Sequence, residues 1–230
     1  MESEVEKIRT EFFSTFNNSI RKYDIGEQDV KKIDDEKDIV YTKYEIDIYS
    51  ENKYDININL PSINIDSSVA RKINKDIDDT FGKKTNSVVL STEVLSIYNI
   101  DYVAYLKDDI LSLVIKATLK ELDYAQRVIV KTYNYNIKTN QEVTLGNFLV
   151  KKNLNKNQVY ETVLDEIKNV NEKNEAFAGL GYEVYKRDIN DKMYLPENTG
   201  TYFMDLNDNL YLIYAYGNNN FTSEMDIIIL

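Results

Sequence analysis

The spacing of apolar residues along the chain predicts three amphipathic helices. Residues 3–21, 67–82 and about 155–171 place an apolar side chain at every third or fourth position, so each stretch has one apolar helix face. Ser67 or Asp66 is expected to cap the second helix, and Gly82 is expected to follow its end. The apolar positions of the three patterns are Val5, Ile8, Phe12, Phe16 and Ile20; Val69, Ile73, Ile77 and Phe81; and Val159, Val163, Ile167 and Val170.

Strict alternation of apolar and polar residues predicts the strands. Residues 39–60 indicate a hairpin with one wet face, which turns at "SENK" and ends at Pro61. The following "KKTNSVVLST" is interpreted as a polar loop or a short strand. The further predicted strands are 94–106, 110–119, 126–137, 201–206, 209–216 and 224–230.

The order of these elements predicts an α+β fold. Antiparallel sheets with helices packed on one face would leave the other face open to solvent or to a partner. We expect an N-terminal helix and connector at 1–38, an N-terminal α+β subdomain at 39–140, and a C-terminal α+β subdomain at 141–230.

The net charge of the chain favours some classes of binding partner over others. The 230 residues carry a formal net charge of −11, which disfavours nucleic-acid binding because a phosphate backbone attracts a basic surface. A basic protein would instead be attracted. Solubility alone is the alternative reason for this acidity.

The chain has no cysteine and no histidine. Thiol catalysis, thiolate metal sites and histidine acid–base chemistry or metal binding are therefore excluded together. We expect a binding protein without enzymatic activity, cofactor or metal.

The acidic residues do not change this expectation. The pairs at 78–79 and 108–109 fall on a predicted helix face and a predicted turn, where chance pairing of 39 acidic residues suffices. Residues 205–209 resemble the start of a calcium loop, but Leu210 and Tyr216 occupy its sixth and twelfth positions, where glycine and glutamate are required. A plain turn is the preferred interpretation.

Three stretches of the chain resemble one family of bacterial exported modules. They are "YDININLPSIN" with the following "KINKDI", "YNYNIKTNQEVTLGNFL", and "GTYFMDLNDNLYLIYAYG". Their order and spacing resemble the extracytoplasmic domain pair of anti-sigma-V factors (RsiV-like), which also precedes some peptidoglycan deacetylases. Asn140 replaces the usual turn glycine, Ala215 replaces a proline, and the loop that follows has three consecutive asparagines. The matching positions of the second stretch are Tyr133, Tyr135, Lys138, Thr139, Thr144, Leu145 and Phe148.

The resemblance implies an extracytoplasmic, non-enzymatic sensor that recognises lysozyme and controls regulated proteolysis. The alternative is a cell-wall accessory module that binds peptidoglycan through its aromatic sheet. The resemblance points to hairpin loops of the C-terminal half as the recognition site, with Tyr214 and Tyr216 as exposed aromatic anchors before a polar loop. The candidate partner-binding residues are Tyr214, Tyr216, Asn218, Asn219, Asn220 and Phe221.

The N-terminal region bears on localisation. No apolar run approaches the roughly 20 residues of a membrane helix, so an anchor of an exported protein would be encoded upstream of Met1. The helix at 3–21 either docks on the domain through its phenylalanines or is a juxtamembrane segment whose docking hides a cleavage site.

Overall fold

A computed structural model of the protein describes residues 30–51, 53–90, 96–122, 124, 126–216 and 225–230. Over these residues the chain has the expected α+β fold. The predicted helix at 3–21 and the predicted loop residues 218–221 lie outside the described residues.

Two sheets organise the described residues. The larger sheet has the strand order β1-β2-β3-β4-β5-β6, and the smaller one has the order β7-β8-β9. The strands are β1 (Val40–Ser50), β2 (Tyr54–Ile63), β3 (Ser96–Lys107), β4 (Ile110–Glu121), β5 (Arg127–Asn136), β6 (Gln141–Glu142), β7 (Tyr202–Met204), β8 (Leu210–Ala215) and β9 (Met225–Ile229). The α-helices are α1 (Ser68–Ile77), α2 (Lys83–Leu90), α3 (Leu145–Lys151) and α4 (Lys156–Gly179).

The larger sheet is antiparallel except between β2 and β3, which α1 and α2 join by a crossover. The prediction that Pro61 ends β2 is wrong, because the strand continues to Ile63. Pro61 is tolerated because it lies beyond the residues of β2 that pair with β3, opposite a register shift between Thr42 and Tyr44 of β1. A proline at such a bulge removes no ladder hydrogen bond that the sheet needs.

The crossover is one long helical segment, so the predicted loop at 83–92 is wrong for residues 83–90. A π-helical turn at Asp78–Gly82 carries the helix past Gly82 into α2. The apolar face continues through Phe81 and Val88, which are both buried against the larger sheet. Thr85 also faces inward, where its hydroxyl donates to the carbonyl of Phe81 at 3.0 Å.

The stretch from β5 to α3 forms a strand, a turn and a capped helix. Asn140 adopts a φ of 57°, a left-handed conformation that asparagine tolerates better than most residues. Thr144 caps α3 by accepting a hydrogen bond from the backbone N–H of Asn147, whose side chain returns the contact. The helix buries Leu145 and Phe148 against the smaller sheet.

The smaller sheet is buried on both faces. From β8, Leu212 and Tyr214 face α3 and α4, whereas Tyr211 and Ile213 face β3 and β4 of the larger sheet. Phe203 of β7 is fully buried at this contact between the two sheets. Its ring stacks on Tyr211 at 4.4 Å and on Tyr105 of β3 at 5.6 Å between centroids.

The sequence predicts that the second face of the larger sheet is open, but part of this face is covered. One end of it, around Val103 and Val114, packs against the smaller sheet. The polar residues of β1, β2 and β3 lie on the remainder of that face, because they alternate with the buried residues of the same strands and are in register with one another. These residues are Glu45, Asp47, Asp55, Asn57, Asn59, Asn99 and Asp101.

We expect Phe203→Ala to lower the free energy of unfolding by about 3–5 kcal/mol, because the change opens a cavity between the two sheets. Urea denaturation followed by circular dichroism measures the loss. Ile129→Ala on β5 is the matched control: this side chain is 48% exposed, so its loss should cost less than about 1 kcal/mol. Equal effects of the two changes would contradict the role given to Phe203.

Candidate functional site

The predicted partner-binding region lies at the end of β8 and the start of β9. Tyr214 is only 3% exposed and Tyr216 only 6% exposed, so the expectation that they are exposed anchors is wrong. The physical reason is that β8 is the central strand of the smaller sheet and also packs against helices. The candidate residues Asn218, Asn219, Asn220 and Phe221 lie beyond Tyr216, outside the described residues.

The hydroxyl of Tyr216 belongs to a buried hydrogen-bond network. It donates to the Oδ2 atom of Asp226 at 2.8 Å, and the hydroxyl of Tyr194 lies 2.8 Å from it. Because Tyr216 donates to the carboxylate, it accepts from Tyr194. The hydroxyl of Tyr214 lies 3.1 Å from the hydroxyl of Thr199. Both candidate tyrosines are thus committed to contacts within the domain.

Arg187 completes this network. Its Nε and Nη2 atoms each donate to one oxygen of Asp226 at 3.0 Å, which is the two-pronged geometry that a guanidinium and a carboxylate favour. The side chain of Arg187 is 5% exposed and that of Asp226 is 9% exposed. The guanidinium also lies 5.0 Å from the centroid of the Tyr216 ring. We refer to Arg187, Asp226, Tyr216 and Tyr194 as the Arg187 clasp.

The segment that carries Arg187 is itself held on α4. The side-chain amide of Asn171 accepts from the backbone N–H of Arg187 and donates to its carbonyl, both at 2.9 Å. Asn174, one turn further along, donates to the carbonyl of Tyr185 at 3.0 Å. The Arg187 clasp therefore ties Tyr216 and Asp226 to one helix.

The end of α4 presents exposed apolar side chains shortly before Arg187 in the sequence. Gly181 has a φ of +90°, and the N–H of Tyr182 donates to the carbonyl of Phe177, which closes the helix as a Schellman motif. Phe177 and Tyr182 make an edge-on ring contact at 6.1 Å, yet they remain 52% and 65% exposed. Three residues after Tyr182, the ring of Tyr185 lies 5.2 Å from that of Tyr216.

The stretch 205–209 is a turn, as the sequence predicts. Asp205 accepts hydrogen bonds from the backbone N–H groups of Asn207 and Asn209 and from the hydroxyl of Tyr211. Its carboxylate is used within the turn itself. Over the described residues, no group of three or more acidic side chains could hold a metal ion.

The acidic pairs considered in the sequence also have structural partners. Asp78 pairs with Lys43, and Asp79 pairs with Lys75 and Lys83, which lowers the pKa of Asp79 to about 2. Asp108 and Asp109 have positive φ in the tight turn between β3 and β4. These carboxylates lie on the surface and in a turn, as expected.

The sequence interpretation missed Arg187, the residue that organises the site. Arg187 and Asp226 lie 39 positions apart, and Arg187 stands in a polar segment without helical or strand periodicity. One available signal is Asp226 itself, a charged residue within the otherwise apolar β9. A charge in such a strand needs a partner when it is buried.

Comparison with known proteins adds no relative: no family model matches the chain, and no curated protein matches its sequence. The resemblance to the exported anti-sigma domains therefore stays a prediction that depends on the three stretches alone. Among the described residues, no helix is both long and apolar enough to cross a membrane.

We expect Tyr216→Phe to lower the free energy of unfolding by about 1.5–3 kcal/mol, because it removes a hydrogen bond to a charged group and leaves the Tyr194 hydroxyl without its acceptor. Urea denaturation at neutral pH measures the change. Tyr49→Phe, at a side chain that is 71% exposed, is the control and should shift stability by less than about 0.5 kcal/mol. If the two variants had the same free energy of unfolding, a buried role for the Tyr216 hydroxyl would be ruled out.

The clasp also predicts alkaline sensitivity. Burial and the neighbouring Asp226 carboxylate raise the pKa of Tyr216, and burial raises the pKa of Tyr194 to about 12. Because the folded pKa values exceed the unfolded value of about 10, this stabilisation is complete below pH 10 and is lost as pH rises through the folded values. Urea midpoints measured between about pH 9 and about pH 11 should fall. Tyr216→Phe should flatten that decline, and an unchanged slope would contradict the assignment.

Proposed function

We propose that the chain is the binding domain of an extracytoplasmic sensor, of the kind found in RsiV-like anti-sigma factors. It captures lysozyme and thereby controls proteolysis of the full-length protein. Three stretches in the order of that family support the proposal, and the second of them folds as a strand, turn and capped helix at residues 127–151.

The observation that carries the proposal is the Arg187 clasp, which joins Tyr216 to Asp226 on either side of residues 217–224 in the sequence. A buried two-pronged ion pair is costly unless it is fully hydrogen-bonded, as it is here. Fixing the two flanking residues lowers the entropy that the segment between them loses when it binds a partner. In this proposal Asn218, Asn219, Asn220 and Phe221 contact the partner, while Tyr214 and Tyr216 position them.

The neighbouring surface supports a protein partner. Phe177, Leu180 and Tyr182 are exposed at the end of α4, and exposed aromatic groups are frequent centres of protein interfaces. Glu175 and Glu183 lie beside them in sequence and are also exposed, although Glu175 pairs with Lys186 at 3.8 Å. An apolar centre on a chain of net charge −11 suits a strongly basic protein.

Calorimetric titration of the purified chain with a C-type lysozyme tests the proposal. We expect binding with a dissociation constant of about 10 µM or tighter, which weakens as salt is raised because opposite charges are screened. The quadruple variant N218A/N219A/N220A/F221A should lose at least about tenfold in affinity, a loss of about 1.4 kcal/mol.

Asn86→Ala is the matched control, because Asn86 is exposed on α2 in the other half of the chain and should not change the affinity. Absence of heat at that concentration would reject lysozyme as the partner. Retention of the chain on insoluble peptidoglycan in place of lysozyme binding would support the cell-wall accessory module instead.

A further inference from the structure

A groove of about 440 Å³ lies between α1, the β5–β6 hairpin and the start of β7. It lies where β7 contacts β5, and it shares no lining residue with the Arg187 clasp. Its volume falls within the range of about 300–1,000 Å³ that is typical of small-molecule sites. We call it the junction groove, and the residues that define it are Ile73, Asp76, Tyr133, Glu142, Val143 and Tyr202.

Apolar and aromatic side chains share the lining of the junction groove with polar and charged ones. Ile73 of α1 and Val143 after β6 are both buried and contribute apolar surface. Tyr133 and Tyr202 add two half-buried rings. The ammonium of Lys131 lies over the Tyr133 ring, 5.5 Å from its centroid. The groove therefore offers two aromatic rings among polar groups to a ligand of modest size.

The two aromatic rings are held in place before any ligand arrives. The hydroxyl of Tyr133 donates to Asp76 at 2.8 Å. The backbone N–H of Tyr202 donates to the hydroxyl of Thr132 at 3.1 Å, and its ring lies edge-on to Phe148 at 6.2 Å. Rings fixed in this way lose little conformational freedom on binding.

The charged rim of the groove is already neutralised internally. Lys72 pairs with Glu142 at 2.5 Å across the opening, and Asp76 pairs with Lys131 at 2.5 Å. Lys75 likewise contacts Asp79. A charged ligand would have to displace one of these pairs, whereas a neutral ligand with hydroxyl groups can donate to the carboxylates and accept from the ammonium groups.

From these features we infer that the junction groove binds a neutral saccharide of one or two rings. A pyranose has an apolar C–H face that can lie on a tyrosine ring, and its hydroxyl groups both donate and accept hydrogen bonds at the rim. This site is independent of the proposed lysozyme-binding loop. A negative lysozyme titration would not contradict sugar binding in the groove, and a negative sugar titration would not contradict lysozyme binding.

The test is an NMR titration of the labelled full chain with two neutral disaccharides, cellobiose and N,N′-diacetylchitobiose. We expect saturable shifts of the Gly200 and Tyr202 amides, which line the groove, with a dissociation constant of about 1 mM or tighter for at least one sugar. Glucosamine and glucuronate, one cationic and one anionic, should bind at least about tenfold more weakly.

Two variants locate the binding. Tyr133→Ala removes one aromatic ring and should weaken the affinity at least about tenfold, while Tyr124→Ala, at an exposed tyrosine outside the groove, should leave it unchanged. Glu142→Gln changes an exposed rim residue without touching the core, and it should weaken binding even if Tyr133→Ala fails to fold. The inference is overturned if no amide shifts with about 10 mM sugar, if the charged sugars bind more tightly, or if Glu142→Gln binds as the wild type does.

Discussion

The structure depends on the burial of a small sheet on both of its faces. β8 has successive apolar residues, and those that face β3 and β4 belong to a different core from those that face α3 and α4. Removing apolar surface from water is the main driving force of folding, so a strand with two apolar faces is stable only between two layers. The aromatic stack of Tyr105, Phe203 and Tyr211 fills one of these contacts. The two halves of the chain are consequently packed together through the smaller sheet.

This layering explains why a charged group is tolerated in β9. Asp226 is drawn into the protein by the apolar residues around it, and an unpaired carboxylate there would be strongly destabilising. Arg187 satisfies it with two hydrogen bonds, and Tyr216 adds another. Replacing such a network by apolar residues can be neutral or stabilising in proteins, so stability alone is a weak reason for its presence. In the proposed function the network has a further role, because it joins Tyr216 to Asp226 on either side of the proposed partner-binding residues.

The same layering creates the junction groove. Gly200 and Tyr202 approach β5 because β7 packs on the larger sheet, where Asn134 donates to the carbonyl of Tyr202 at 2.8 Å. α1 forms the opposite wall because the crossover from β2 to β3 must lie on a face of that sheet. The groove and the clasp are thus two products of one packing arrangement and differ in chemistry. The groove is lined by aromatic and internally paired charged side chains, whereas the clasp is a buried ion pair with two tyrosine hydroxyls.

The sequence by itself determined the elements whose signals are local. Period-two alternation predicted β1 to β5, and apolar residues at every third or fourth position predicted α1 and α4, because these patterns involve residues close together in the chain. Only the tertiary structure decided which faces of those elements are covered. It buried Tyr214 and Tyr216, extended the helical crossover past Gly82, and joined Arg187 to Asp226. The reason is that burial and ion pairing depend on residues that are distant in sequence and adjacent only after the layers have packed.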